Sequence, residues 1–290
     1  MRGQTLFLRG DFTTASTGVA GGTGRVTTIF NHTVPHDFDH REPIRYMEML
    51  TDEQGFSRDF FGMLTAVEMK SLCVLSWEFI TVFVTAGVSN PNPEGPGTIN
   101  IIVYSREQFS KGALLEAIIT ATEAKAKALF ETGHDFTGTT TDEVVVACEG
   151  DMVLHEYTGT YTEAGRRIYE CVRFGVQEAL KRHEGEVVRD EPSFFVFSTI
   201  GGEHWYEWNR KNCPYYPCHF SGQRCDFCYC PFYPCHDKSL GHWIETSTDE
   251  MVWSCKDCHL VHYPVVADYL LAHPEASIKE LRGVLRNKKN

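Results

Sequence analysis

Apolar runs that end in small polar turns recur along the first two thirds of the chain. Residues 79–88 form one such run, and residues 98–104 form a second after a loop with three prolines and two glycines. Residues 143–148, with the sequence Glu-Val-Val-Val-Ala-Cys, form a third. Short runs rich in β-branched residues predict buried strands. Hydroxyl and amide side chains gather where these runs end, which is typical of an active site on a layered α/β scaffold.

Segments with helical spacing of apolar residues separate these strands. One predicted helix begins after Ser110, a favourable N-cap residue, and ends near Gly133. A second runs from Thr162 to about His183. The order strand, strand, helix, strand, helix predicts the α/β class with a mixed sheet layered with helices, because only the first two strands are joined by a hairpin.

The distribution of cysteine predicts how the chain divides into domains. Eight of the eleven cysteines lie between Cys213 and Cys258. We therefore predict a first domain over residues 1–198, a cysteine-rich, zinc-ribbon-like module over residues 199–264 and a helical tail over residues 265–290.

Composition narrows the classes of function. The formal net charge of −12 argues against nucleic acid or an anionic membrane as partner, because both select clustered Lys and Arg. The longest apolar run has about half of the roughly 20 residues that a membrane-spanning helix needs, and the N-terminus lacks the apolar segment of a secretory signal. These features predict a cytoplasmic protein. In that reducing compartment, cysteines are more typical of metal ligands than of disulfides.

The cysteine-rich module contains an internal repeat. The sequence Cys-Pro-Tyr-Tyr-Pro-Cys-His begins at Cys213, its near copy Cys-Pro-Phe-Tyr-Pro-Cys-His begins at Cys230, and two CxxC pairs are separated by 26 residues. Separated CxxC pairs resemble a zinc ribbon and favour zinc over an iron–sulfur cluster. The predicted ligands are Cys225, Cys228, Cys255 and Cys258 for one site, and Cys213, Cys218, Cys230 and Cys235 for a second, with His219 or His236 as substitutes.

The charge of this module indicates what it contacts. Between Trp205 and His262 there are five Lys or Arg residues and seven Asp or Glu residues. A nucleic-acid-binding finger is basic, so we predict a structural role or contact with a protein partner. Bound metal would supply folding free energy on the order of 10 kcal/mol per structural site.

Loops rich in glycine and threonine are candidates for ligand binding. Residues 13–24 contain four glycines, which allow close approach of a ligand, although a mobile hairpin loop is equally consistent with them. The pattern Thr-Gly-Thr-x-Thr-acid occurs at residues 137–142 and again at 158–163. Such loops expose hydroxyl and N–H groups that hold an anion or a developing oxyanion. For the second copy, the alternative is that Thr162 only caps the following helix.

Residues from about Phe12 to Leu180 resemble the adenosylcobinamide amidohydrolase family of corrinoid salvage. The segments that carry the resemblance follow one another in order and are specific as a set. They are Ala20-Gly21-Gly22 with Asn31, residues 62–66 (Gly-Met-Leu-Thr-Ala), 84–90 (Val-Thr-Ala-Gly-Val-Ser-Asn), 97–101 (Gly-Thr-Ile-Asn-Ile), 122–125 (Thr-Glu-Ala-Lys), 137–142 (Thr-Gly-Thr-Thr-Thr-Asp) and 157–160 (Tyr-Thr-Gly-Thr). The C-terminal part is similar to a small cysteine-rich metal-binding module that accompanies such enzymes in some archaea.

The resemblance implies a hydrolase that acts on adenosylcobinamide. Its reaction is cleavage of the amide between the propionyl side chain of the corrin ring and aminopropanol, which gives adenosylcobyric acid for cobamide synthesis. Two alternatives belong to other classes. One is a corrinoid-binding or delivery protein without hydrolysis, and the other is a redox protein built on the cysteine module.

Amide hydrolysis needs a nucleophile or activated water, a base, an acid for the leaving amine and oxyanion donors. The predicted catalytic residues are Glu123 or Asp142 as general base, Thr139 or Ser89 as nucleophile or water-positioning group, Asn90 and Asn100 as oxyanion donors, and Lys125 as an assisting group. The predicted substrate-binding residues are Gly21, Gly22, Asn31, Thr85, Gly87, Gly138 and Thr160. If Glu123 instead pairs with Lys127 on an exposed helix face, it has no catalytic role.

Overall fold

The computed structural model describes residues 1, 3–88, 97–150, 153–198, 203–208, 213, 216–228, 230–245, 251–274 and 276–287. The chain divides into two compact units, Met1–Trp208 and Asn209–Asn290. The division lies beyond the predicted boundary at residue 198, because the strand His204–Trp208 pairs with the strand Ser193–Ser198 of the first unit.

The strands alternate with helices along the chain. The strands are β1 Thr5–Ser16, β2 Gly22–Thr33, β3 Phe60–Thr65, β4 Cys73–Trp77, β5 Ile80–Gly87, β6 Thr98–Ser105, β7 Gln108–Phe109, β8 Glu143–Cys148, β9 Leu154–His155, β10 Ser193–Ser198, β11 His204–Trp208, β12 His242–Glu245 and β13 Met251–Ser254. The α-helices are α1 Pro43–Glu53, α2 Lys111–Glu131, α3 Glu163–His183, α4 Pro264–Ala272 and α5 Ile278–Asn287. None of the helices in the described parts of the chain combines the length and the apolar character that a membrane span requires.

Most strands of the first unit belong to one mixed sheet. In the part of the chain that the structure describes, nine strands follow the order β11-β10-β4-β5-β6-β8-β1-β2-β3. The pairs β10–β4, β6–β8 and β2–β3 are parallel, and the other neighbours are antiparallel. The α/β class with a mixed sheet is therefore confirmed, and β5 and β6 form the predicted antiparallel pair.

Helices α2 and α3 cover one face of this sheet. Both begin as the sequence predicts, because the hydroxyl of Ser110 accepts the N–H of Ala113 at 3.1 Å and that of Thr162 accepts the N–H of Gly165 at 3.0 Å. Their apolar residues pack on alternate residues of the central strands, such as Val144 of β8. This layer is the larger of the two cores of the first unit.

Strands β1, β2 and β3, at one end of the sheet, contribute to a second core on the face opposite the helices. Their apolar residues, including Ile29 and Met63, form a second core with Ile102 of β6 and Val145 of β8. Strand β1 pairs with β8 only over Thr13–Ser16, while it pairs with β2 over most of its length. The far end of the β1–β2 ribbon therefore curls over the central strands and brings polar residues of β2 to the ends of β5 and β6.

The second unit has a separate core that joins its cysteine-rich part to its C-terminal helices. Leu260, Val266, Leu270 and Leu281 are buried there and pack against Cys258, among other partly buried residues. Helices α4 and α5 thus belong to the same compact unit as the cysteines. Strands β12 and β13 form an antiparallel hairpin within it.

Candidate active site

The polar ends of the central strands meet at one edge of the sheet. Gly87 at the end of β5 lies opposite Thr98 at the start of β6, and Asn100 of β6 lies opposite Glu143, the first residue of β8. Next to β8, the backbone N–H of Thr17, just after β1, donates to the carbonyl of Val144 at 3.0 Å. The register therefore brings together the segments whose polar ends were predicted to form a site.

A nearly buried ion pair organises the helix-facing side of this edge. Lys125 of α2 donates to Asp142, and their side chains are only 7% and 9% exposed. The same carboxylate accepts the backbone N–H groups of Thr139 and Ile99, each at 2.9 Å, and the Thr139 hydroxyl lies 2.6 Å from it. We call Lys125, Asp142 and Thr139 the Asp142 cluster.

The Asp142 cluster holds two loops together. A carboxylate has about four positions for accepting hydrogen bonds, and three fixed donors and one hydroxyl occupy those of Asp142. Such a carboxylate is poorly placed to take a proton from water, so its arrangement differs from that expected of a general base. A side chain at position 138 would crowd this ion pair, because a Cβ atom there would lie 2.6 Å from both Asp142 Oδ2 and Lys125 Nζ.

The Thr139 hydroxyl lies between two acceptors. It is 2.6 Å from Asp142 Oδ1 and 2.7 Å from the carbonyl oxygen of Gly97, and its single proton can go to either. Thr141 also approaches the Gly97 carbonyl at 3.1 Å, and its hydroxyl is 2.7 Å from that of Thr98. The first Thr-Gly-Thr loop therefore joins the start of β6 to the start of β8.

Glu123 does not join the Asp142 cluster. It is exposed on α2, two residues before Lys125, whose side chain is buried against Asp142. Residues two apart on a helix do not face each other. The expectation that Glu123 acts beside Thr139 therefore has no support in this arrangement. Lys127 pairs with Glu131 at 3.4 Å, so the alternative pairing of Glu123 with Lys127 is not the one observed.

The second Thr-Gly-Thr loop lies elsewhere. The Thr158 hydroxyl donates to the carbonyl of Ala113 at 2.6 Å, and Thr120 donates to the carbonyl of Thr158 at 2.8 Å. Ala113 precedes Lys125 by about 18 Å along α2 at 1.5 Å per residue. Thr160 is therefore not brought to the Asp142 cluster. Thr162 caps α3, as the simpler of the two interpretations proposed.

A buried amide network lies on the other side of the strand ends. Asn31 of β2 donates to the hydroxyl of Thr85 at 2.8 Å, and Asn100 donates to Asn31 Oδ1 and to the carbonyl of Leu64, both at 3.0 Å. A carbonyl only accepts, so the contact with Leu64 fixes the nitrogen of Asn100 in that direction. Asn100 Oδ1 then faces away; it is buried and has no hydrogen-bond partner among the described residues.

This orientation changes the role expected for Asn100. Its two side-chain N–H groups donate to Asn31 Oδ1 and to the carbonyl of Leu64. The atom that remains available is therefore the acceptor Oδ1 and not an oxyanion donor. Asn31 and Thr85 are buried with it in the same network. These two predicted substrate-binding residues therefore support the strand ends from inside the protein.

Glu143 also lies on this side of the sheet edge, although it was not among the site residues predicted from the sequence. Its Oε1 accepts the N–H of Val19 at 3.3 Å, whereas Oε2 is buried without a partner among the described residues. Burial raises the pKa of this carboxyl to about 7, and the Val19 N–H opposes the shift. We call Asn31, Thr85, Asn100 and Glu143 the Glu143 cluster.

The sequence contains a signal that could have identified Glu143. Residues 143, 145 and 147 lie on one face of β8, because side chains alternate along a strand. Val145 and Ala147 are fully buried on that face. An acidic residue in register with two buried apolar residues is unusual unless it has a function or a partner.

The glycines predicted to bind substrate lie at strand ends and in the turn between β1 and β2. Gly21 donates its N–H to the carbonyl of Gly18 at 2.8 Å, and a Cβ on Gly21 would lie 2.4 Å from the carbonyl of Ser16. Gly22 has a φ of +133°, a conformation that favours glycine. Gly87 packs so closely that a Cβ would lie 2.7 Å from Val67 Cγ2. The predicted residues Ser89 and Asn90 lie outside the described residues.

Four cysteines, two from each predicted set, lie near one another in the second unit. Burial raises the pKa of Cys230 to about 11, with added repulsion from Cys258, Cys255 and Cys235. We call these four residues the Cys230 group. The β12–β13 hairpin accounts for this proximity, because it returns the chain from Cys235 to Cys255. The last CxxC pair is therefore near the second repeat, and the predicted combination of the two CxxC pairs stays a prediction.

Two further thiols accept hydrogen bonds from the same side-chain amide. Gln223 Nε2 donates to the sulfur of Cys218 at 3.2 Å and to that of Cys225 at 3.3 Å. All of the cysteines are free thiols. In the described part of the chain, no three or more Cys, His, Asp or Glu side chains are arranged so that they could hold a metal ion. The thiols of each set are therefore neighbours, and binding of a metal ion would require them to converge further.

The chain matches two family models. Residues 6–187 match the family described as adenosylcobinamide amidohydrolase, and residues 204–284 match a cysteine-rich small domain. The first match contains the Asp142 and Glu143 clusters, and the second contains all the clustered cysteines.

Two relatives share the first range and are named adenosylcobinamide amidohydrolase. The one from Methanosarcina mazei is 42% identical over 192 residues, which are 62% of this chain and 96% of the relative. The one from Halobacterium salinarum is 32% identical over 182 residues, 57% of this chain and 78% of the relative. An uncharacterized protein of Methanocaldococcus jannaschii is 52% identical over 61 residues, 21% of this chain and 51% of that protein. No solved structure matches the chain.

Proposed function

The chain belongs to the adenosylcobinamide amidohydrolase family, and we propose that its first unit hydrolyses the amide between the corrin propionyl side chain and aminopropanol of adenosylcobinamide. The products are adenosylcobyric acid and aminopropanol. The observation that carries this proposal is the 42% identity to the Methanosarcina mazei adenosylcobinamide amidohydrolase over 96% of that protein. The matched family range includes both polar clusters at the strand ends.

The Asp142 cluster has a positioning role in this proposal. Lys125 and Asp142 neutralise each other and hold the segments 97–99 and 138–139 at the strand ends. The partly exposed Thr139 is the member that we assign to orienting water or the substrate amide, because its hydroxyl can alternate between Asp142 and Gly97. A group held by such fixed partners loses little entropy when it orients a reactant.

Product analysis tests the proposed reaction. The purified protein is incubated with adenosylcobinamide, and the products are identified by mass spectrometry against a heat-denatured control. We expect adenosylcobyric acid and aminopropanol in equal amounts. Recovery of unchanged adenosylcobinamide bound to the protein would contradict hydrolysis and would favour a corrinoid-binding or delivery protein.

We also propose that the second unit binds zinc through cysteine thiolates. Thiolates are soft ligands that favour zinc in tetrahedral four-cysteine sites, and metal binding and folding are coupled in small modules of this kind. The proposed ligands of one ion are the Cys230 group, and those of a second are Cys213, Cys218, Cys225 and Cys228. The support for the first set is the mutual proximity of its thiols, and for the second it is the contact of Gln223 with two members, Cys218 and Cys225. Zinc here has a structural role, and the unit presents a surface for a protein partner.

Metal analysis and removal test the zinc proposal. We expect about two zinc ions per chain and a colourless protein. A strong chelator should unfold the second unit, so that amide hydrogen exchange accelerates across residues 230–258 while strands β5, β6 and β8 stay protected. Iron with visible absorption, or unchanged exchange after all zinc has been removed, would contradict the proposal.

A further inference from the structure

Two buried oxygen atoms without partners belong to residues that are paired on the central strands. Asn100 Oδ1 and Glu143 Oε2 are both buried and have no hydrogen-bond partner among the described residues. Asn100 and Glu143 are directly paired between β6 and β8, and both side chains are on the face opposite the helices. Leaving a buried polar atom without a hydrogen bond costs about 1–3 kcal/mol, so we expect these two acceptors to have a functional role.

A proton on Glu143 would satisfy this arrangement. The contact of Asn100 Nδ2 with the Leu64 carbonyl at 3.0 Å fixes Asn100 Oδ1 as an acceptor. A protonated carboxyl has one O–H donor, whereas an ionised carboxylate has none. Of the two forms of Glu143, only the neutral one therefore has a donor to offer to an acceptor on the paired residue.

The glycine-rich turn after β1 closes over this carboxyl. Val19 donates its backbone N–H to Glu143 Oε1 at 3.3 Å, and a Cβ on Gly18 would lie 3.2 Å from the Glu143 carboxyl carbon. The turn at residues 17–21 is thus shaped to the carboxyl and leaves the side chain partly exposed. Gly18, one of the glycines predicted to allow the close approach of a ligand, therefore allows the approach of Glu143 to the backbone.

We propose that Glu143 is the catalytic acid–base of the amide hydrolysis, with Asn100 Oδ1 as the acceptor that holds its proton between transfers. The inference rests on the proposed function and names the proton carrier for it. Asp142 cannot share this role, because its carboxylate is occupied by Lys125 and two backbone N–H groups.

The proton transfers balance over one turnover. The oxygen of water bonds to the amide carbon while one of its protons moves to the Glu143 carboxylate. The carbon–nitrogen bond then breaks, and Glu143 returns that proton to the leaving nitrogen, which departs as aminopropanol. The second proton of the water remains with the new carboxylic acid and passes to solvent. Glu143 ends in its starting form.

The electrostatic surroundings of Glu143 suit this task. Its pKa, raised by burial to about 7, lets both forms be populated near neutral pH, where a general acid–base is most effective. Among the described residues, the elements packed against it present the neutral groups Asn100, Gly18 and Val19, and no charged side chain contributes to the shift. Its neighbour Asp142 is neutralised by Lys125.

Two matched variants test the inference. E143Q keeps the size of the side chain and removes its ability to carry a proton, so we expect kcat for aminopropanol release to fall by about 10²–10⁴ with KM little changed and the protein still folded. E149Q, at the other end of β8, removes a carboxylate that accepts the Tyr104 hydroxyl and should keep wild-type turnover. E143D, with a shorter reach, should retain a fraction of the activity and a pH–rate profile with a limb near neutrality.

The outcomes separate the two proposals. Full activity of E143Q beside an active wild type would overturn the role of Glu143 and leave the proposed reaction standing. A wild type that releases no aminopropanol would overturn the reaction and, with it, the role of Glu143. If E143Q fails to fold, infrared spectroscopy of the wild type and E143D replaces it as the test. We expect the wild type to show a carboxylic acid band that titrates near neutral pH and that is shifted in E143D. Absence of this band from the wild type would overturn the inference.

Discussion

Asp142 and Glu143 are neighbours in the chain, but their carboxyl groups lie in different surroundings. Asp142 faces α2, where Lys125 and two backbone N–H groups hold it in place. Glu143 faces the β1–β2 layer, where burial is only partly compensated by one N–H at 3.3 Å. A satisfied carboxylate stabilises structure, whereas an unsatisfied one is free to exchange a proton. The two clusters at one sheet edge thus divide positioning from chemistry.

The comparison predicts the largest loss of stability at Lys125. K125M leaves Asp142 buried and uncompensated, which should cost about 3–5 kcal/mol and lower the melting temperature by about 6–20 °C at 2–4 °C per kcal/mol. K127M, two residues along the same helix, removes only an exposed pair with Glu131 and should cost about 0.5 kcal/mol or less. Equal melting temperatures for the two variants would show that the Asp142 cluster does not hold the edge together.

A smaller effect should appear in the pH dependence of the free energy of unfolding, and we assign it to Glu143. The pKa of Glu143 is raised in the folded protein from 4.5 to about 7, so the folded state binds this proton more tightly than the unfolded state. The contribution of Glu143 to the free energy of unfolding is therefore fully present below pH 4.5 and is lost as the pH rises through 7, a change of about 3 kcal/mol.

The variant E143Q isolates that contribution. Urea unfolding of wild type and E143Q at about pH 5 and about pH 8 gives four midpoints. We expect the wild type to lose more stability than E143Q between the two conditions, because a Gln side chain does not titrate. A difference between the two proteins that is the same at both pH values would contradict the raised pKa.

The smallest effect should come from the hydroxyls of the first Thr-Gly-Thr loop. T139V removes the hydroxyl that lies between Asp142 and Gly97 and should cost about 1 kcal/mol. T141V removes an exposed hydroxyl and should cost a few tenths of that. Thermal unfolding of both variants measures the difference, and the reverse order would place the loop's main contact at Thr141.

Much of the first unit could be predicted from its local patterns. The predicted strands at 79–88, 98–104 and 143–148 correspond to β5, β6 and β8, and the caps at Ser110 and Thr162 begin the two long helices. These features depend on residues close in sequence, such as a β-branched run or one hydroxyl near a helix start.

The features that the sequence did not reveal depend on distant contacts. Asn31 reaches Thr85 and Asn100 only because the β1–β2 ribbon curls over the sheet, and no local pattern encodes that curl. The position of Glu143 between two layers has the same origin. The spatial grouping of the cysteines depends on the β12–β13 hairpin, since identical residues in a repeat do not indicate which of them are neighbours.

A single-turnover measurement tests the central claim most directly. Wild type and E143Q are each mixed, in separate reactions and in saturating excess, with adenosylcobinamide. Samples are quenched over time, and the released aminopropanol is quantified by mass spectrometry. We predict that the wild type releases one equivalent and that E143Q releases it more slowly by about 10²–10⁴. Release at the same rate by both proteins would contradict a proton-carrying role for Glu143.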